Sequence, residues 1–357
     1  METLTMRSTT PARRLLAGAA VLPLALALAA CGASEAADPP SSDSTATSGA
    51  TDDATVTTDS DAAATGTVTI EDNHGQLEVP VNPERVVALD NHVFSTLSAW
   101  DVELVAAPKP IMGTGIWPEY TENEAVLDVG SHREPNLESI IAATPDLVIG
   151  GYRFQESYDS IVSQNPDAVV VEAHPREGEE ISDELKRQIE ILGQIFDRED
   201  EAAEIVADYD DAVTAASDAY NGTDTVVGLI TSGGEIAYSA PVTGRSLGML
   251  FPTLDLQPAI EQAAEDTSHG DDISVEAIAA AAPEWIIVLD RDGSGVGEGE
   301  YTSAQELISG SAALADVPAV AKDQVIYLDP NFYLTEDIQA YTALFQQIAD
   351  AFGAKAE

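Results

Sequence analysis

Three arginines stand where they can bind an oxygen-rich anion. Arg153 comes three residues after the predicted strand 147–150, and Arg291 follows the predicted strand 286–289 with one acid between them. Arg245 lies in a loop that leads into a short helix. Ligands of open α/β sheets bind beyond the carboxyl ends of the strands, so we expect the three guanidinium groups to face one cleft. Guanidinium groups bind oxygen-rich anions and stack on aromatic rings.

The alternative for each arginine is an ion pair with a nearby acid, and Asp290 and Asp292 flank Arg291. The chain carries 63 acidic and 15 basic residues, for a formal net charge of -48. Cations are therefore scarce, and each arginine is a candidate for a specific role. The same charge argues against nucleic acid and anionic lipid headgroups as partners, because the field repels phosphate.

Two stretches of the chain, 138–149 and 276–287, align without gaps. Each begins with a glutamate (Glu138 and Glu276), continues as a short helical pattern, and ends in a Pro-acid turn and a run of apolar residues. In each, an arginine follows fifteen residues after the glutamate. This internal repeat predicts two similar α/β lobes.

Strands alternate with helical patterns in both halves, so the predicted fold class is α/β, with two similar lobes of mainly parallel sheet. Residues 182–220 form an almost unbroken helical pattern between the halves. The predicted boundaries are an N-terminal lobe over 66–198, a connecting helix over 199–221 and a C-terminal lobe over 222–357. A long helix as the bridge predicts a stiff hinge and little domain closure.

The single cysteine, Cys31, ends an apolar N-terminal segment. A basic head precedes about 13 apolar residues, too few to span a bilayer, and then comes Leu28-Ala29-Ala30-Cys31. The pattern resembles a bacterial lipobox, which implies a lipoprotein signal peptide over 1–30 and an extracytoplasmic protein anchored to the cell membrane through lipid on Cys31. The alternative is a secretory signal with an incidental cysteine. Residues 31–65 are predicted to be a disordered acidic tether, because their small and polar side chains cannot bury enough surface to fold.

The order of these segments resembles a known family. The lipobox and the acidic linker come first. They are followed by the connecting helix and the second lobe only after three runs in the first lobe: Pro83-Glu84-Arg85-Val86-Val87, Pro135-Asn136-Leu137-Glu138 and Pro145-Asp146-Leu147. From about Val68 onward the chain is similar to the helix-linked (class III) substrate-binding lipoproteins of iron-siderophore and cobalamin ABC importers. The resemblance implies a monomeric, non-enzymatic protein that binds a solute between its lobes and delivers it to an ABC importer permease.

The loops that contain His269 and Tyr333 narrow the resemblance to binding proteins for catecholate siderophores of the enterochelin type. In that subgroup three arginines, matched here by Arg153, Arg245 and Arg291, frame a ferric siderophore that is both aromatic and anionic. A His and a Tyr complete the coordination of iron when the siderophore supplies two catechols, which gives His269 and Tyr333 this role. Phenolate and imidazole are suitable donors for ferric iron. The Phe332-Tyr333 stretch is one residue shorter than the family pattern, so the direction of Tyr333 stays open.

Further residues receive roles by position. Trp117 is predicted to contact the siderophore, and its alternative role is to pack in the core. His92 is predicted to lie at the rim of the first lobe, and its alternative role is to start a helix. Glu138 and Glu276 resemble the surface glutamates, one per lobe, that dock onto permease arginines in this family; their alternative role is to stabilise a helix N-terminus. His74, in a hairpin turn, has no predicted ligand role. No permanently bound cofactor is expected, and ferric iron enters as part of the siderophore complex.

Other cargoes and functions stay open at this point. Haem, cobalamin, ferric citrate and ferric hydroxamate suit the same fold, although three arginines argue against uncharged hydroxamate or cobalamin. A secreted lipid-anchored hydrolase is the alternative from another class, but the sequence has no His-Glu-x-x-His motif. A structural wall protein is a third alternative. A free metal ion is not predicted, because no cluster of His and carboxylate residues is evident.

Overall fold

The computed structural model describes residues 66–263, 270–295 and 301–356. Cys31, the predicted signal peptide, the tether and His269 lie outside these ranges. The described residues form two α/β lobes, each built on its own sheet. In residues 66–263, 270–295 and 301–356, no helix combines the length and apolar character needed to cross a membrane.

The strands of the N-terminal lobe are β1 (Thr67–Asp72), β2 (Gly75–Pro80), β3 (Val86–Ala88), β4 (Leu104–Ala107), β5 (Leu127–Asp128), β6 (Gly130–Ser131), β7 (Glu134–Pro135), β8 (Leu147–Ile149) and β9 (Val169–Val171). Five of them form a parallel sheet in the order β5-β4-β3-β8-β9, with the antiparallel pairs β1-β2 and β6-β7 beside it. Its helices are α1 (Phe94–Ala99), α2 (Pro118–Thr121), α3 (Leu137–Ala143), α4 (Tyr158–Gln164) and α5 (Ile181–Phe196). Short 3-10 helices cover Asn91–Val93, Lys109–Ile111 and Tyr152–Ser157. The parallel strands are short and apolar on both faces, as expected for a sheet covered by helices.

The C-terminal lobe follows the 21-residue helix α6 (Glu199–Ala219). Its sheet has the order β13-β11-β10-β14-β15, and β12 also pairs with β10. The strands are β10 (Thr225–Ser232), β11 (Glu235–Ser239), β12 (Gln257–Pro258), β13 (Asp271–Asp272), β14 (Trp285–Asp290) and β15 (Val325–Tyr327). The helices are α7 (Leu250–Leu254), α8 (Val275–Ala281), α9 (Ala304–Gly310), α10 (Pro318–Ala321), α11 (Phe332–Thr335) and α12 (Ile338–Ala356), and Asp292–Ser294 is a 3-10 helix.

Residues 182–220, an almost unbroken helical pattern in the sequence, form two helices. Helix α5 ends at Phe196 and α6 begins at Glu199, because Asp197 adopts a left-handed conformation with φ of 54°. Aspartate is one of the few residues that tolerate this conformation. The two helices pack closely at Gly193, where an added Cβ would lie 2.7 Å from the Cβ of Ala202. The predicted lobe boundaries stay predictions.

The predicted repeat takes the same form in both lobes. Helices α3 and α8 are seven residues long, and each is capped by the residue two positions before its glutamate: Asn136 accepts a hydrogen bond from the Ser139 amide, and Ser274 accepts one from the Ala277 amide. Each helix ends in a left-handed residue and is followed by a buried strand, β8 or β14. The two units therefore bring an arginine to the carboxyl edge of each sheet.

Helix α12 returns across the molecule and packs along α6. The ring of Phe345 meets that of Tyr209 edge-on at a centroid distance of 5.6 Å, and both side chains are buried. One apolar core runs through both lobes along these helices, and a smaller core covers the opposite face of each sheet. The sheets are thus packed on both faces, and their loops at the carboxyl edge are left to form a site.

Candidate anion-binding site

The three arginines singled out by the sequence meet around one aromatic ring. Tyr333, in α11, has its ring centroid 4.3 Å from the guanidinium carbon of Arg245, 5.2 Å from that of Arg291 and 5.7 Å from that of Arg153. All three distances lie within the range of cation–π attraction. We call Arg153, Arg245 and Arg291 the arginine cluster. Its members come from three separate loops, and Tyr333 lies at their centre.

Arg153 and Arg291 reach Tyr333 because their loops leave parallel strands at the carboxyl edge of a sheet, whereas Arg245 reaches it from the loop after the antiparallel strand β11. Arg291 directly follows β14, whereas Arg153 lies in the 3-10 helix after β8. A tight turn at Gly151 starts that helix, with φ of 98° and no room for a Cβ, which would lie 2.2 Å from Nδ1 of His174. Arg245 follows β11, the strand that a Gly-Gly turn folds back antiparallel onto β10.

Arg245 is held by a buried carboxylate that the sequence did not single out. Its Nε donates to Oε1 of Glu336 at 2.9 Å, and its Nη2 donates to Oε2 of the same side chain. Glu336 also accepts hydrogen bonds from the hydroxyl of Tyr152, at 3.0 Å, and from Ser246. Burial opposes ionisation of Glu336, but Arg245 and the hydrogen bonds outweigh it and hold its pKa at about 2. Arg245 therefore lies in a fixed, bidentate ion pair.

Arg153 and Arg291 are less fully paired. Within the described residues, Nε and Nη2 of Arg153 and Nε of Arg291 are buried without a hydrogen-bond partner. Nη1 of Arg291 donates to Ser232 at 2.8 Å and lies 3.6 Å from Oδ1 of Asp292. Asp290 instead accepts hydrogen bonds from residues of its own loop. Buried donors without a partner are costly, so an anion that supplied acceptor oxygens here would be stabilised.

The electrostatics of the site act on Tyr333. Burial alone would raise the pKa of its phenol, but the charge of Arg245, a hydrogen bond with Arg291 and the charge of Arg153 together lower it below its usual 10. Nη1 of Arg245 lies 3.4 Å from the phenol oxygen. The phenol therefore loses its proton more easily than a free tyrosine does.

Below the arginine cluster, a polar network joins the two lobes. Nδ1 of His92 lies 2.7 Å from Oδ1 of Asp90, and the imidazole ring packs 4.3 Å from that of Tyr152. Burial disfavours the charged imidazole, but Asp90 outweighs it and raises the pKa of His92. Asn91 crosses to the other lobe, where it donates to the carbonyl of Leu334 at 2.8 Å. His92 was expected at a rim, but it is buried in this network.

The other sequence-predicted residues lie elsewhere. Trp117 is 3% exposed and packs 5.1 Å from Phe94 in the core of the N-terminal lobe, which corresponds to the packing alternative. Glu138 and Glu276 are exposed in the first turns of α3 and α8. His74 stacks on a tyrosine ring and hydrogen-bonds Glu172 at 2.9 Å.

The site contains residues that the sequence analysis missed, namely Glu336, Tyr152 and Ser246. The Gly150-Gly151 pair before Tyr152 was a usable signal, because paired glycines mark a tight turn at a strand end. Nothing in the sequence near Glu336 distinguishes it from the many surface acids. Among the described residues, no three His, Cys, Asp or Glu side chains are placed to hold a metal ion.

Comparison with known proteins agrees with this architecture. The family model described as periplasmic binding protein matches residues 86–332. The petrobactin-binding protein YclQ of Bacillus subtilis is 26% identical over 283 residues, which cover 76% of this chain and 84% of that protein. The ferric-anguibactin-binding protein FatB of Vibrio anguillarum is 26% identical over 270 residues, covering 75% of this chain and 82% of the relative.

Solved structures show the same fold. The crystal structure of YclQ superposes with a TM-score of 0.69 at 22% identity and covers 80% of this chain and 99% of that one. The structure of the periplasmic catecholate-siderophore binding protein VctP of Vibrio cholerae superposes with a TM-score of 0.67 at 22% identity. It covers 81% of this chain and 100% of that one. The names of these relatives denote binding proteins rather than enzymes. The predicted fold is thereby confirmed, and the chain belongs to the periplasmic binding protein family.

Proposed function

We propose that this protein binds a ferric catecholate siderophore between its lobes and delivers it to an ABC importer. The observation that carries the proposal is the arginine cluster, three cations within 5.7 Å of one aromatic ring. The names of YclQ, FatB and VctP, which specify petrobactin, ferric anguibactin and a catecholate siderophore, support a siderophore as the cargo.

A catecholate complex matches the chemistry of the arginine cluster in two respects. A ferric tris-catecholate has a net charge of about -3, which the guanidinium groups attract, and its aromatic rings can stack on those groups. Neutral ferric hydroxamates and cobalamin offer no comparable charge. Ferric citrate and haem propionates offer carboxylates and are the remaining alternatives on the same fold.

The cargo must approach a strongly acidic protein. The formal net charge of -48 repels an anion at long range, but at physiological salt the field decays over about 8 Å. Inside the site, the charges of Arg153, Arg245 and Arg291 face the ring of Tyr333, while the carboxylate of Glu336 is buried behind Arg245. The side chains of Arg245 and Arg291 keep 17% and 23% exposure, so both remain accessible to a ligand.

Tyr333 and His269 are proposed to coordinate the iron when a siderophore supplies two catechols. The lowered pKa of the Tyr333 phenol favours this role, because phenolate is the ionised form that binds ferric iron. Iron is the cargo in this proposal and not a resident cofactor. Trp117 is left out of the binding site, because its side chain packs in the core.

Transport requires contact with the membrane complex. Glu138 and Glu276, exposed at equivalent positions of the two repeats, are proposed to dock on basic residues of the permease. The lipid on Cys31, after removal of residues 1–30, would hold a monomer at the outer face of the cell membrane, with residues 31–65 as the tether. The lobes over 66–198 and 222–357 and the connecting helix over 199–221 complete this proposed organisation.

The test is a tryptophan-fluorescence titration of the full-length protein in detergent. The ligands are ferric complexes of a tris-catecholate, a bis-catecholate, a hydroxamate and citrate. Saturable quenching at submicromolar concentration by the catecholates, with at least tenfold weaker binding of hydroxamate, is expected. Binding of Arg291→Ala equal to that of the wild type, or no catecholate binding, would contradict the proposal. Tighter binding of the bis-catecholate that is lost in Tyr333→Phe would support the role of Tyr333.

A further inference from the structure

A fourth basic element lies next to the arginine cluster, in the turn between β6 and β7. Strand β6 pairs with β7 through Gly130 opposite Pro135 and Ser131 opposite Glu134, which leaves His132 and Arg133 as the two residues of the turn. The turn follows β5 and therefore leaves the N-terminal sheet at the carboxyl edge, as the loop of Arg153 does.

The turn has a fixed backbone. Gly130 has φ of 76°, and a Cβ there would lie 2.8 Å from the carbonyl oxygen of Glu134. Its amide donates to Oδ1 of Asp128 at 2.8 Å, and the amide of Asn136 donates to the carbonyl of Val129 at 2.6 Å. Side chains in the turn are therefore presented by a preorganised loop.

The polar groups of this turn are not satisfied by the protein. Nδ1 of His132 is buried and, within the described residues, has no hydrogen-bond partner; the same holds for Nε and Nη2 of the neighbouring Arg153. Arg133 is exposed and forms no ion pair with any described acid. Buried polar atoms without a partner on two adjacent loops at one sheet edge indicate a shared ligand.

The surroundings of His132 are cationic. Burial and the charges of Arg153 and Arg133 lower the pKa of its imidazole, so the ring is neutral at pH 7. Glu134 lies on the same hairpin, and Lys109 lies in the 3-10 helix packed against β6, where its ammonium donates to the carbonyl of Asn123 at 2.7 Å. An anion bound against Arg153 would offset the repulsion that keeps His132 neutral.

We propose that the His132-Arg133 turn is an additional anion subsite of the N-terminal lobe, which contacts the acidic periphery of the ligand beside Arg153, and that His132 takes up a proton when the ligand binds. The inference rests on the proposed function, since it requires an anionic ligand at the arginine cluster. Proton uptake adds a positive charge where the ligand brings negative charge, so binding becomes tighter as pH falls. Arg133 adds an exposed cation next to His132.

The experiment is calorimetric titration of the full-length protein in detergent with a ferric tris-catecholate at pH 7. Paired runs in phosphate and Tris buffers, which differ in ionisation enthalpy, measure the protons taken up. The wild type is expected to take up on the order of half a proton per ligand more than His132→Asn does. Arg133→Gln should weaken binding several-fold. His74→Asn, a histidine of the same lobe outside this turn, is the matched control and should leave the uptake unchanged.

A direct measurement of the histidine makes the test independent of folding effects in the variants. In NMR titrations of the wild type, the His132 ring should titrate below 6.5 without ligand and at higher pH with the diamagnetic gallium complex of the same siderophore. Equal proton uptake by wild type and His132→Asn, with intact ligand binding, would overturn this inference and leave the proposed function standing. Absence of ligand binding by the wild type would instead overturn the proposed function.

Discussion

Replacing Glu336 by glutamine is expected to leave Arg245 as a buried cation without a counter-charge. Glu336 is 6% exposed and forms a bidentate ion pair with Arg245. The hydroxyl groups of Tyr152 and Ser246 also donate hydrogen bonds to its carboxylate. Breaking a buried pair by removing one partner costs about 3–5 kcal/mol, because the remaining charge stays desolvated. The pKa of about 2, against the usual 4.5, corresponds independently to about 3 kcal/mol.

The sign of the pH dependence follows from the lowered pKa. The stabilisation from Glu336 is fully present above pH 4.5, where the carboxylate is ionised in both folded and unfolded chains, and is lost as pH falls toward 2. The assay is urea unfolding of wild type and Glu336→Gln at pH 7 and at pH 3. The difference in unfolding free energy should be about 3–5 kcal/mol at pH 7 and clearly smaller at pH 3.

Glu201→Gln is the matched control. Glu201 pairs with Arg198 at 3.1 Å on the surface, and both side chains are nearly half exposed, so the loss should stay below about 1 kcal/mol. If Glu336→Gln were as stable at pH 7 as Glu201→Gln, the reasoning about the buried pair would be refuted. A double variant that also replaces Arg245 by methionine should recover part of the loss, because no charge then remains unpaired.

Four further predictions concern packing, strain, pH and salt. Phe345→Ala should lower the free energy of unfolding, measured by urea denaturation, by about 3–5 kcal/mol. A loss below about 1 kcal/mol would contradict the role of the contact between α6 and α12. Gly151→Ala should destabilise the protein more than Gly222→Ala does. Both glycines have a positive φ, but an added Cβ would meet a neighbouring atom only at Gly151, and an equal decrease in melting temperature for the two variants would argue against that clash. The pKa of His92 is raised above 6.5 in the folded protein, so its stabilisation is fully present below pH 6.5 and is lost as pH rises through the raised pKa. The stability difference to His92→Asn should therefore be larger at pH 6 than at pH 9. Stopped-flow association of a ferric tris-catecholate should accelerate from 20 to 150 mM salt, because the net charge of -48 is then screened, and a slower rate would imply steering by the cations.

Much of the site could be predicted because its residues lie at the ends of strands. Apolar runs mark β8 and β14, and the rule that ligands bind at carboxyl edges then places Arg153 and Arg291 on one side of the molecule. The internal repeat supported the same placement, because its two units share spacing and turn chemistry. Local pattern and topology were sufficient for these two residues.

The residues that support the site could not be predicted in this way. Glu336 and Tyr152 are 184 residues apart, and their contact depends on how the two lobes pack against each other. The spacing of apolar residues predicts which face of a helix or strand is buried. It contains no information about a contact between residues of two different lobes.

The most direct test of the account is the dissociation constant of a ferric tris-catecholate for wild type, Arg153→Gln and Arg198→Gln at 150 mM salt. Arg153 has buried N–H groups without a described partner, so it should contribute to ligand binding, whereas Arg198 pairs with a surface acid away from the arginine cluster. The account predicts at least tenfold weaker binding for Arg153→Gln and no change for Arg198→Gln. Equal affinities for all three proteins would contradict the claim that the arginine cluster binds the ligand.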